Sequence, residues 1–288
     1  MSYHAFISGL PDLIFDEHKK VYSTREFKDE LQALLSWKDK RAVHKLYLKY
    51  DNDNILSYLK NGEEDMTFKD LGNYSLEEII DMVDSVKDED RKWNKKYPEY
   101  LHAFIQDYVM HEDHFELFWE DHLSTLYANY LLHKTRNRFV KEWSELNMNI
   151  RNVLTALSTR REGIEYEHLI VGNNEVAALL RTSQNFGHNL TEFIDYYESI
   201  REIDETTDLL EKEQRIGIFF WEWIDEHTFF HYFDIEKIMG YLFKLQILER
   251  WRLLDAEKGG EIFLTLVNNL KNNISHTKIL KQLKDNNI

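Results

Sequence analysis

The stretch Tyr100–Lys134 reads YLHAFIQDYVMHEDHFELFWEDHLSTLYANYLLHK and contains neither glycine nor proline. Its apolar residues recur at Leu101, Phe104, Ile105 and Tyr108, and again at Phe115, Phe118, Leu123 and Leu126. That spacing lays one apolar stripe along a helix and predicts one or two long amphipathic helices. The rest of the chain repeats the pattern. Ser23-Thr24-Arg25-Glu26 and Ser75-Leu76-Glu77-Glu78 are capping boxes, in which a hydroxyl and a glutamate satisfy amides at a helix start. Asn189-Leu190-Thr191-Glu192 is a third candidate start, and Pro98 suits the opening of a helix. A further helix is predicted over 136–161, stopping at Gly163, where a residue with positive φ closes a helix well.

Composition agrees with this reading. The 288 residues include only 2 prolines and 10 glycines, too few for a turn-dense sandwich or barrel. Aromatic residues make up 14% and charged residues 31%, so the chain carries enough apolar surface for a core and enough charge to stay in water. Loops are predicted at Asp51–Asn54, Gly62–Asp70, Asp88–Pro98, Gly163–Asn174 and Arg181–Asn189. The last third divides into helices over 205–227, 235–258 and 260–273, the last two separated by Gly259-Gly260, with a polar tail over 281–288. Tyr3–Leu10 and Glu167–Val171 are the two stretches that read as short extended pieces. The fold class is all-α, with three helical modules expected over 1–98, 99–204 and 205–288.

Function classes fall away on charge and chemistry. The formal net charge of −16 repels phosphate backbones and anionic headgroups, so neither nucleic acid nor a lipid surface is an expected partner. With no cysteine there is no disulfide, no thiolate metal site and no cysteine nucleophile. No signal peptide or membrane-spanning run is read, and a cytoplasmic location is expected. The Gly-x-x-x-x-Gly-Lys-Ser/Thr, Gly-x-Gly-x-x-Gly and Gly-x-Ser-x-Gly signatures are missing from the sequence.

Two constellations remain. The first is histidine-rich. His111 and His114 lie one helical turn apart, His122 returns to nearly the same face, and Glu165-Tyr166-Glu167-His168 spells the Glu-x-x-His element of di-iron bundles. A second Glu-x-x-His is lacking, so a helical di-iron or zinc enzyme is the alternative reading and a solvated acidic helix face the simpler one. His227 and His231 stand four apart, but Thr228 occupies the place of a zincin glutamate. The second constellation is aromatic: Phe219-Phe220-Trp221-Glu222-Trp223 and Phe229-Phe230-His231-Tyr232-Phe233 read first as core, and otherwise as anchors for a partner protein.

The segment Asn149–Gly163, NIRNVLTALSTRREG, resembles a helix signature of the central-stalk subunit called C or d in V/A-type ATPases. Asn152, Val153, Leu157, Arg160 and Gly163 fall in matching places, whereas Asn149 stands for a usual Asp and Ser158 for a usual Arg. A looser echo follows in Gly240-Tyr241-Leu242, Arg252, Lys258 and Gly260, with Arg250 where the family has Asn. The opening residues Tyr3–Leu13 and Tyr50-Asp51-Asn52-Asp53-Asn54 are similar to a bacterial family encoded beside such ATPase genes, a divergent and shortened form of the same subunit. The resemblance implies repeated helical modules in a funnel-like array. It implies a non-catalytic coupling subunit, peripheral on the inner membrane through its protein partners, between the central shaft and the membrane rotor ring. No cofactor is implied. Asn152, Arg160, Gly163, Arg252 and Lys258 would mark the repeated helix ends, with structural or interface roles.

Overall fold

The computed structural model describes residues 3–15, 22–88, 90–111, 116–183 and 186–254. The protein is all-helical, and no strand occurs among the described residues. The chain packs as two compact units, one formed by Leu31–Glu205 and the other by Met1–Glu30 with Thr206–Ile288.

In the larger unit the order is α3 (Trp37–Asp65), α4 (Leu76–Lys87), α5 (Glu99–Met110), α6 (Glu116–Lys134), α7 (Arg138–Arg161), a 3-10 turn (Glu167–Leu169), α8 (Glu175–Thr182), α9 (Phe186–Phe193) and α10 (Tyr197–Glu205). The long 100–134 stretch is thus two helices, α5 opening at Pro98. Neighbours in sequence pack on one another: α4 on α5, α5 on α6, α6 on α7, α7 on α8 and α8 on α9. Two longer-range pairings, α3 with α6 and α7 with α10, bind this succession together. The core of its first half is Leu48, Ile55, Ile79, Met82, Val83, Leu101, Phe104 and Ile105, ringed by Tyr74, Tyr97, Tyr100, Tyr108 and Trp119. Each buried aliphatic side chain of this kind contributes about 1.5–3 kcal/mol of transfer free energy.

The Ser75–Glu78 capping box forms as its sequence predicts, Ser75 Oγ accepting from the Glu78 amide at 3.3 Å and Glu78 Oε2 from the Ser75 amide at 3.0 Å. Several expectations are corrected. Asp51–Asn54 is not a loop but an interior turn of α3. Its polar side chains, read as turn formers, serve another segment: the Asp51 carboxylate accepts from the amides of Asn73 (2.7 Å) and Tyr74 (3.0 Å), and Asn54 pairs with both backbone groups of Lys69. Arg181–Asn189 is largely helical, and Asn189 lies inside α9, so the third capping box does not form. Glu167–Val171 holds the 3-10 turn in place of an extended strand.

The other unit holds α1 (His4–Ile7), the start of α2 (Thr24–Leu34), α11 (Leu209–Thr228) and α12 (Ile235–Leu254). Tyr3–Leu10, expected as extended, contains the short α1. The Ser23–Glu26 box closes as predicted, with the Ser23 amide donating to Glu26 Oε2 at 2.8 Å. Glu249 of α12 also serves α2, accepting from the Thr24 amide at 2.6 Å. α11 and α12 pack along an aliphatic seam of Ile224, Ile238, Met239, Leu242 and Leu245. Gly240 of the echoed segment lies in the interior of α12, where a Cβ would meet Thr228 Cγ2 at 2.8 Å. Lys258, Gly259-Gly260, the helix expected over 260–273 and the tail over 281–288 lie outside the described residues.

Candidate functional site

The signature segment forms the C-terminal half of α7. Asn137 caps the helix start by accepting from the Val140 amide at 3.0 Å. At the other end Gly163 adopts φ +67°. Its amide donates to Arg160 O at 3.1 Å, and the Ile164 amide donates to Thr159 O at 2.9 Å. These are the paired bonds of a Schellman closure, in which glycine avoids the Cβ penalty of the left-handed region.

Past Gly163 the chain folds back along α7 and is held there by side chains. Asn152 is fully buried. Its Nδ2 donates to Val171 O at 2.7 Å, and its Oδ1 accepts from the Val171 amide at 2.8 Å. A carboxamide so placed substitutes for a neighbouring strand, which satisfies backbone groups that burial would otherwise leave unpaired. Arg181 of α8 donates to the carbonyls of Ile170 (2.6 Å) and Gly172 (2.7 Å). Asn149 donates to Tyr196 Oη at 3.2 Å and accepts from Asn174 Nδ2 at 2.8 Å, and Asn174 in turn caps α8. Burial pushes the Tyr196 phenol up to about 12.

Arg160 lies with its guanidinium 5.4 Å from the centre of the Phe186 ring. The adjacent Arg161 reaches further and pairs with Asp204 of α10, a carboxylate only 2% exposed. Asn152, Arg160 and Gly163 are thus spread along the C-terminal half of α7 and its closure, each with its own partner. Arg252 belongs to α12 of the other unit, and Lys258 lies outside the described residues. Asn149, Arg161, Asn174, Arg181 and Asp204 complete the network and were not singled out as site residues by sequence. Of these, only Asn149 carries a signal in the sequence that could have found it: its three-residue spacing from Asn152 puts two amides on one helix face.

A second polar cluster lies where α3 meets α5 and α6. Tyr100 Oη donates to Asn52 Oδ1 at 2.7 Å, and Tyr127 Oη donates to Lys45 O at 2.8 Å. Lys45 Nζ donates to Lys134 O, so a cation sits on the carboxyl end of α6. Burial first, then nearby Arg41, holds the Lys45 ammonium below its usual range. Burial raises the phenols of Tyr100, Tyr127 and Tyr130.

The histidine constellation is gathered only in part. His122 Nε2 lies 2.9 Å from Asp107 Oδ2, and His111 Nδ1 lies 2.7 Å from the Asp107 carbonyl. His114 lies outside the described residues. Glu165 is exposed on the loop after α7, and exposed His168 lies within electrostatic reach of Asp121, whose carboxyl burial holds above its usual range. Among the described residues, one group of three places possible ligand atoms within 4.8 Å of one another: His231, Asp234 and Glu236. Asp234 also accepts from the Lys237 amide at 3.3 Å at the start of α12, where the helix dipole disfavours a cation. His227 stacks on Trp223 at 3.8 Å between ring centres.

The aromatic runs separate. Phe219–Trp223 is half-buried on α11, whereas Phe229, Phe230, Tyr232 and Phe233 are exposed, which corrects the reading of both runs as core. No helix among the described residues is long and apolar enough to cross a membrane. No curated protein and no solved structure matches the chain. A family model described as "Protein of unknown function (DUF2764)" matches residues 1–274, and the chain belongs to that family.

Proposed function

We propose that the protein is a non-catalytic coupling subunit that links the central shaft of a V/A-type rotary ATPase to its membrane rotor ring. The observation that carries this reading is the joint use of the signature positions. Along the C-terminal half of α7, Asn152 holds the returning chain at Val171, Arg160 lies over the Phe186 ring and Gly163 closes the helix, so each acts as a packing or closure element. A part that transmits torque needs low compliance, and helices tied to one another by buried amides and aromatic contacts supply it. The acidic surface suits orientation toward basic partner subunits. Attachment to the membrane runs through the ring.

The test is purification of the ATPase in mild detergent from cells carrying an affinity-tagged copy of this chain. Rotor-ring and stalk subunits recovered with the tag in fixed stoichiometry are the expected result. Deletion of the chain is expected to leave ATP hydrolysis that no longer drives ion transport. An ATPase that couples normally without the chain overturns the proposal.

A further inference from the structure

We infer that the turn joining α11 to α12 is a docking tip for a protein surface that offers an apolar groove rimmed by lysine and arginine. The inference stands on exposure and charge and does not depend on the coupling role.

The tip presents Phe229, Phe230, Tyr232 and Phe233 at 65%, 82%, 61% and 40% exposure. Single exposed apolar residues are ordinary, but four aromatic side chains within five positions form a patch of the kind that marks an interaction site. The buried residues of the hairpin here are Ile224, Thr228, Ile235 and Ile238, and the four rings are not among them. They are arranged nonetheless. Phe229 and Phe230 stand edge to face at 5.0 Å. Phe233 is braced from the N-terminal segment, its carbonyl accepting from the Tyr3 amide at 2.8 Å and its ring lying 4.2 Å from that of His4. Rings held in place before binding lose little freedom on docking.

The rim sets the occupant. Glu222, Asp225 and Glu226 are exposed on the last turns of α11, and Asp234 and Glu236 open α12. Asp225 is paired with Lys244 at 2.5 Å and Asp234 with His231 at 2.6 Å. Among the described residues Glu222 and Glu226, exposed on the last two turns of α11 before the aromatic run, have no cationic partner. An apolar centre within an acidic rim is complementary to a groove edged by cations. A second copy of this chain would bring the same acidic rim and be repelled, and anionic lipid would be repelled likewise.

The test uses the full chain and a fluorescently labelled helical peptide with a leucine face and a lysine rim, followed by anisotropy. Saturable binding is expected, at least tenfold weaker for the Phe229→Ser/Phe230→Ser double variant, which keeps every charge, and severalfold weaker for Glu222→Gln/Glu226→Gln. A helical circular dichroism spectrum like that of the parent establishes that each variant is folded. Equal binding by the aromatic variant reduces the effect to net charge and overturns the inference. Equal binding of a leucine–glutamate peptide, binding to phosphatidylcholine vesicles in place of the peptide, or self-association lost in the variant also overturns it. Because the chain has no cysteine, Phe230→Cys gives a unique thiol. It is expected to react at the rate of a free thiol, and slow reaction in the full chain overturns the inference by showing that the chain covers its own tip.

Discussion

Asn152 and Val171, 19 residues apart, exchange two hydrogen bonds through a side chain that takes the place of a strand. The pair fixes the return of the chain after α7, and the position of α8 follows from it, because Arg181 grips the carbonyls on either side of Val171.

Replacement of Asn152 by Ala is therefore expected to leave a buried amide and a buried carbonyl unpaired, at a cost of about 2–4 kcal/mol. Urea unfolding at unchanged m-value measures the loss. Hydrogen exchange at the Val171 amide is expected to accelerate more than exchange in α4 or α5, which lie outside the network.

Two glycines of the same loop give a graded pair. Gly163 has φ +67°, and a Cβ added there would meet nothing within 4 Å, so Gly163→Ala is expected to cost only the left-handed penalty, about 1–2 kcal/mol, and Gly163→Asn less. Gly172 has φ +82° and would bring a Cβ to 2.2 Å from Met148 Sδ. Gly172→Ala is expected to cost about 2–4 kcal/mol, since crowding adds to the backbone term. Thermal unfolding of the two variants side by side checks the order, and Met148→Ala should narrow the gap between them.

Helices were legible wherever periodicity and caps agreed, as at Ser75–Glu78 and at Gly163. They were illegible where polar residues serve a distant backbone. Asp51, Asn52 and Asn54 look like turn formers because such side chains usually bond nearby amides, but here they bond Asn73, Tyr100 and Lys69 while their own backbone stays helical. The aromatic run at 229–233 was illegible for a related reason: size and apolarity predict burial, but the buried residues of this hairpin are Ile224, Thr228, Ile235 and Ile238, and the four aromatic rings are not among them. At the candidate site the signature pointed to Asn152, Arg160 and Gly163, while Arg161 was passed over. Which of two adjacent arginines finds a buried carboxylate depends on a helix 43 residues away.

That choice is measurable. Arg161 pairs with buried Asp204, whereas exposed Arg160 lies over the face of the buried Phe186 ring. Arg161→Ala is expected to cost about 1–3 kcal/mol, moderated by the partial exposure of the guanidinium but sustained by the carboxylate it abandons. Arg160→Ala is expected to cost about 1 kcal/mol or less. In a double-mutant cycle with Asp204→Asn, Arg161 should show coupling and Arg160 none.

Alkaline pH supplies a separate check on the tyrosine cluster. Burial raises the phenols of Tyr74, Tyr100, Tyr127, Tyr130 and Tyr196 above the ordinary value near 10. Below that value both folded and unfolded chains hold these protons, and the contribution to stability is fully present. Above it the unfolded chain releases them first, so the native state binds more protons and stability falls as pH rises. Lys45 and Lys244 act with the opposite sign, because burial lowers their pKa and the native state releases their protons first. The tyrosines outnumber them, and a net decline is expected from pH 10 upward. Urea midpoints at pH 8, 10 and 11 should fall in that order. Absorbance at 295 nm should show delayed phenol ionisation that completes together with unfolding. Tyr100→Phe is expected to lower stability at pH 8 by about 1 kcal/mol through the lost bond to Asn52, and to make the alkaline decline shallower. A decline of unchanged steepness would assign the pH dependence to other groups.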